Sequence, residues 1–207
     1  MINQIIFLYL VIVISSVFHE YAHGLMAYHL GDPTAKNEGR LTLNPLVHMD
    51  LFGTVILPLF LLFTGGIFIG YAKPVPYNPK NLTDKKYGSL KVGAAGPLSN
   101  LAIALIFGLF IRFFSGVGAV SAALPPSFFS FVAIIAAINI ALALFNLIPF
   151  PPLDGSKVFA DLFPRAWSKV MDLGIWGLAL ALLVAFLALP TLVDLIFRLI
   201  TGRPLAF

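Results

Sequence analysis

Uncharged apolar runs of about twenty residues alternate along the chain with short polar segments, the pattern of helices that cross a bilayer. The first run covers residues 2–30, and a polar segment, 31–50, follows it. Within that segment Arg40-Leu41-Thr42-Leu43-Asn44 alternates polar and apolar positions, which predicts a short strand. A second run, 51–70, contains Pro58 and Gly65-Gly66 and is read either as a span or as a re-entrant element. In Lys73-Pro74-Val75-Pro76-Tyr77-Asn78-Pro79, three prolines in six positions exclude a helix and leave an extended edge segment. A third helix, about 90–114, has Gly96-Pro97-Leu98-Ser99-Asn100 near its opening, and a fourth, about 127–148, ends at Pro149. After Phe150-Pro151-Pro152-Leu153-Asp154-Gly155-Ser156-Lys157 comes a fifth run, 173–200, expected to break before Pro190. The pattern predicts an all-α polytopic membrane protein of about five to six hydrophobic segments, with short membrane-embedded strand or re-entrant elements. No repeat or low-complexity linker interrupts it, and the length suits one integral-membrane domain, 1–207.

Composition agrees. The chain is 59% hydrophobic and 11% charged, where a soluble domain is about 25% charged. The 13 Lys and Arg against 9 Asp and Glu are a small basic excess concentrated in loops. That speaks for orientation in a lipid bilayer and against nucleic acid as a partner. No cleavable signal peptide is evident, because the amino terminus lacks a basic region ahead of its apolar run. Residues 73–91 carry five lysines and one aspartate, and the loop between the third and fourth helices carries no charge. The third helix should therefore leave the cytoplasm and the fourth return, with Asp154 near the cytoplasmic face of the cell membrane. If 51–70 spans, the first helix starts in the cytoplasm and His19 lies past mid-membrane, far from Asp154. If 51–70 re-enters, the first helix comes from outside and His19 and His23 approach the cytoplasmic side. The second arrangement suits the uncharged first residues and lets metal ligands converge.

The chemistry lies in the first run, at His19-Glu20-Tyr21-Ala22-His23. Positions i and i+4 of a helix are about 40° apart, so both imidazoles share one face. An ionised residue at the centre of a membrane helix costs roughly 2.5–3.5 kcal/mol on the insertion scale. The economical use of this spacing is a zinc ion held by two histidines, with the glutamate as general base. With no cysteine in the chain, every ligand must be an imidazole or a carboxylate. A catalytic zinc commonly takes three protein ligands and leaves a fourth position to water. Asp154, after a proline-broken helix end and before Gly155, is the best third candidate; its alternative role is to cap a helix beginning near Ser156. His29 and His48 read as an interfacial and a polar-segment histidine, and Asp161, Asp172 and Asp194 as loop or helix-end charges.

Three elements together resemble the site-2 protease family of intramembrane zinc metalloproteases: His19-Glu20-Tyr21-Ala22-His23, Gly96-Pro97-Leu98-Ser99-Asn100, and Asn146-Leu147-Ile148-Pro149-Phe150-Pro151-Pro152-Leu153-Asp154-Gly155. The resemblance implies one zinc held by His19, His23 and Asp154, with Glu20 as the catalytic acid and base. It implies that Asn146 contacts the substrate or the developing oxyanion; capping or interhelical hydrogen bonding is the alternative. Gly96 and Asn100 would serve close helix packing. Many members carry an inserted PDZ domain or an appended CBS pair, for which this chain has no room. The Lys-Pro-Val-Pro-Tyr-Asn-Pro segment resembles a small, domain-free prokaryotic branch, while the run 51–70 departs from members with only a membrane-embedded sheet there.

The implied substrate is a membrane-spanning protein whose helix must unwind before it is cut. Residues 40–44 and 73–79 are the candidate edges that capture it through main-chain bonds. A polytopic metal-ion transporter is the main alternative, and a non-catalytic metal-binding scaffold another. A transporter would show ionisable groups across successive helices, and helices three to five are nearly free of them in their interiors. A scaffold would have lost Glu20 or a ligand.

Overall fold

The computed structural model describes residues 2–56 and 73–205, which fold as helices and connecting segments with no strand among them. It divides into two compact units, Met1–Gly88 and Ser89–Phe207.

The first unit is led by α1, Ile2–His29. Its apolar run has no proline to interrupt it, and its 28 residues rise about 42 Å, longer than a ~30 Å hydrocarbon core. Two stripes run along it at intervals of four. Ile6, Leu10, Ile14 and Phe18 are exposed, as lipid-facing residues are, whereas Val11, Ser15, His19, His23 and Ala27 are buried. The motif histidines thus occupy a continuous buried ridge. The helix ends at Gly31, whose φ of +96° is open to glycine at little cost, and the Asp32 N–H returns to Ala27 O at 2.9 Å.

Two one-turn helices follow, α2 (Thr34–Asn37) and α3 (Pro45–His48). The strand expected over residues 40–44 does not form. Asn44 caps α3, accepting the Leu46 N–H at 3.1 Å with Pro45 at the first helical position, and the Arg40 N–H is turned back to Ala35 O. A cap followed by proline is a helix start, and it overrides a five-residue alternation. The run 51–70 opens as a π-helical turn, Leu51–Ile56. Its remainder, with Pro58 and Gly65-Gly66 and hence the choice between span and re-entry, lies outside the described residues. Residues 73–78 are irregular and extended, as their prolines require, and a 3₁₀ turn, Pro79–Asn81, closes the segment.

The second unit contains α4 (Gly88–Phe114), α5 (Gly118–Ala123), α6 (Pro126–Asn146), α7 (Gly155–Leu162), α8 (Pro164–Asp172) and α9 (Gly174–Thr201). Apart from Phe197, its core is aliphatic: Ala104, Ile111, Val132, Ala136, Ala137, Ile140 and Val193. Small residues let membrane helices approach closely; a Cβ on Gly108 of α4 would meet Ile200 Cγ2 at 2.5 Å. Asp161, in the last turn of α7, accepts the Leu90 N–H at 2.7 Å and so satisfies the start of α4. Asp194 lies inside α9 rather than at a helix end, paired with Arg198 at 2.7 Å and accepting the Leu205 N–H. The break expected before Pro190 does not occur, since α9 is continuous through it. Proline removes one backbone donor, but unwinding a helix in hydrocarbon would orphan several more groups.

Four helices among the described residues are long and apolar enough to cross a membrane: Ile5–His29, Gly88–Phe114, Ser127–Asn146 and Gly174–Thr201. A polar contact between α4 and α6 is an asparagine pair, both fully buried, with Asn100 Nδ2 donating to Asn139 Oδ1 at 2.9 Å. Asn100 serves helix packing, as its place in the glycine-proline motif suggested. Asn139→Leu removes that acceptor and is expected to destabilise the protein by about 1 kcal/mol, read as a lower unfolding temperature in detergent; an unchanged transition would show that the pair contributes nothing.

Candidate metal centre

His19 and His23 leave α1 one turn apart, and the structure brings their Nε2 atoms to 3.0 Å, with the rings edge to face at 4.7 Å between centroids. Two nitrogens bound to one tetrahedral zinc at ~2.0–2.1 Å would stand about 3.3 Å apart. The pair is therefore already close to the bite of one ion. Both imidazoles are buried, so the chain has withdrawn two strong metal donors from water and turned them toward one point.

Glu20, half-buried beside His19, accepts the Val75 N–H at Oε2, 2.7 Å away. The extended segment lies close enough to do this because of Gly24, one turn after Glu20. A Cβ there would stand 3.0 Å from Val75 Cγ1 and 3.3 Å from Ala35 Cβ. The segment's far end is held by Asp32, fully buried, which accepts Asn78 N–H at 2.6 Å, Thr34 Oγ1–H at 2.6 Å and Asn81 Nδ2–H at 2.8 Å. Burial alone would raise the Asp32 pKa; the hydrogen bonds from Thr34, Asn81 and Asn78 outweigh it and hold the carboxyl below its usual range.

In the second unit, Asp154 is buried and precedes α7. It occupies the cap position, but its side chain makes no capping bond and pairs instead with Lys157 Nζ at 2.9 Å. The capping alternative is thus not realised. Gly155 has an ordinary φ, and what it supplies is space. Any Cβ there would collide with the backbone of Leu147 and Ile148, so the tight approach on which the position of Asp154 depends excludes a side chain. Asn146 is the last residue of α6, its Nδ2 donating to Leu142 O at 2.9 Å.

His29 is exposed at the end of α1. His48 is buried, with Nε2 2.7 Å from Thr42 O. Sequence reasoning missed Arg40, Asp32, Gly24 and Asn139. For the first two, the available signal was that a chain so poor in charge placed a charged residue there at all.

The donor set of His19, His23 and Asp154, two imidazoles and a carboxylate, all buried, is one that could hold a metal ion. Without thiolates, and suited to an open fourth position, it fits zinc.

Residues 117–190 match the model of Peptidase family M50. The chain is 39% identical over 159 residues to YwhC of Bacillus subtilis (strain 168), named as a candidate zinc metalloprotease, and the match covers 76% of this chain and 69% of that protein. The chain belongs to Peptidase family M50, the site-2 protease family. Rip2 of Mycolicibacterium smegmatis (strain ATCC 700084 / mc(2)155), named likewise, is 29% identical over 90% of this chain and 68% of its own length. MJ0611 of Methanocaldococcus jannaschii, also so named, is 32% identical over 69% of this chain and 63% of its own length. No solved structure matches. As a member of M50 the protein is a membrane metalloprotease, and its metal is zinc.

Two expectations follow. Gly155→Ala should weaken zinc binding several-fold in competition with a chelating dye; unchanged affinity would show that the Asp154 turn tolerates a Cβ. Asp32, with its folded-state pKa lowered, stabilises the fold above the unfolded value of about 4 and loses that contribution as pH falls through the folded value. The melting-temperature gap between wild type and Asp32→Asn should be wide at pH 7 and narrow below about pH 4; a gap independent of pH would contradict the assignment.

Proposed function

We propose that this metalloprotease hydrolyses peptide bonds in or beside the membrane-spanning segments of other membrane proteins, with Glu20 as general base and then acid. The observation that carries the reading is the His19–His23 pair on the buried ridge of a membrane-length helix, with Glu20 at its flank. Asp154, the carboxylate of the third family motif, supplies the third ligand. Zinc, when bound, brings the pKa of a water to about 7 and polarises the scissile carbonyl. The Glu20 carboxylate takes the proton of the attacking water and delivers it to the leaving amide nitrogen. The Val75 amide holds one of its oxygens, fixing the orientation of the carboxylate while the proton moves. The oxyanion needs a donor, and Asn146 has two amide hydrogens, one of them directed to Leu142 O.

The substrate's bonds are sheltered in a helix that must unwind. The extended segment 73–78 is the edge on which the unwound strand would pair. Residues 40–44, the other candidate edge, form no strand and have turned their backbone to local caps. The lysines of 73–91 favour the cytoplasmic side for this chemistry.

Glu20→Gln removes the proton acceptor and keeps the shape. It is expected to retain about one zinc per chain and to lose about 10²–10⁴-fold in cleavage of a single-span membrane reporter. A zinc-loaded variant that cleaves at the wild-type rate would remove Glu20 from the mechanism.

A further inference from the structure

Arg40 is buried, yet its partners are backbone carbonyls rather than a carboxylate. Nη1 donates to Val47 O at 2.6 Å, and Nη2 donates to Lys73 O at 2.7 Å and Pro74 O at 3.3 Å. A buried guanidinium is costly unless its N–H groups are used, so a chain 11% charged has committed a cation to tying α3 to the start of the extended segment. His48 acts at the same place: its carbonyl accepts the Lys73 N–H at 2.8 Å, and its ring lies against Thr42 O.

Two residues beyond Lys73 is Val75, whose N–H reaches Glu20. Pro74 and Pro76 have no amide hydrogen, so within residues 74–76 Val75 alone can donate. The sequence Pro-Val-Pro therefore presents a single amide on a stiff strap. Whether that amide meets the carboxylate depends on where the strap's end is fixed. Gly24 allows the strap to lie against α1, Asp32 fixes its far end at Asn78, and Arg40 fixes its near end.

We propose that Arg40 is a positioning residue for Glu20: it holds the Pro74-Val75-Pro76 strap so that the Val75 amide keeps the catalytic carboxylate in its working orientation. The proposal rests on the assignment of Glu20 as the base. A lysine at this position would keep the charge but not the planar fork that reaches carbonyls of two segments at once.

The test compares full-length wild type, Arg40→Lys and Arg40→Met in detergent. Three quantities are measured: zinc per chain, amide hydrogen exchange at Lys73 and Val75, and kcat and KM for unfolded casein per bound zinc. A purely structural role would lower folded yield and zinc loading together and leave kcat per bound zinc unchanged. The positioning role keeps about one zinc per chain and speeds exchange at Val75 in Arg40→Met by about tenfold or more. It lowers kcat by about tenfold or more while KM stays within about threefold, with partial recovery in Arg40→Lys. Wild-type exchange at Val75 in Arg40→Met, or wild-type kcat per bound zinc, would overturn it. A zinc-loaded wild type that leaves casein uncut counts against the proteolytic reading, while unchanged exchange counts against Arg40, so the two failures are separable.

Discussion

Hydrocarbon offers no hydrogen bonds, so a polar group placed in a membrane helix must find its partner within the protein. The arrangement of this chain follows from that constraint. Asn100 and Asn139 answer each other across two helices. Asp161 takes the Leu90 amide at the start of α4, and α9 runs unbroken through Pro190 because unwinding would expose more than it relieved. The two histidines of α1 stand apart from these pairs. They face each other at 3.0 Å, and two neutral imidazoles can share at most one proton along that line. A cation between such donors satisfies both lone pairs at once, which is why the metal belongs to the logic of the helix as well as to its chemistry.

The same constraint shapes the neighbourhood of Glu20. A carboxylate beside the metal ligands must be held without being neutralised by a fixed cation, and a backbone amide does this with a partial charge. Presenting one amide, and no others that would compete for it, calls for a segment with prolines on both sides of it. The segment in turn must be fastened from outside the helix. Asp32 and Arg40, two buried charges in a polar loop, fasten it through backbone groups. The polar residues 31–50, short of regular structure, thus serve as the frame for the Glu20 carboxylate.

The parts of this design visible in the sequence are those with local grammar. An uninterrupted apolar run reads as a span, and HExxH spacing reads as two ligands on one face. A Pro-x-Pro segment reads as extended, and the composite of three motifs identified the family. Asn44-Pro45 was also legible, as a cap and first helical residue, but the alternation of Arg40 to Asn44 was given more weight than a five-residue pattern can bear. The rarity of charge in the chain marked Arg40 and Asp32 as unusual, but their roles, like that of Gly24, depend on residues more than thirty positions away in sequence. Asn139 hid in a helix whose other residues explain it well enough. Gly155 was legible as the residue that permits a tight turn beside Asp154, while the physical reason, backbone crowding by Leu147 and Ile148 at an ordinary φ, was not.

The proposed ligand set is His19, His23 and Asp154 around a single zinc. It is tested most directly by the zinc content per chain of detergent-purified protein, for wild type and Asp154→Ala side by side. About one zinc in wild type and a strong loss in the variant, with folding preserved in both, is the predicted result. Full retention of zinc in Asp154→Ala would contradict the ligand set, and a folded wild type that takes up no zinc when it is supplied would contradict the account as a whole.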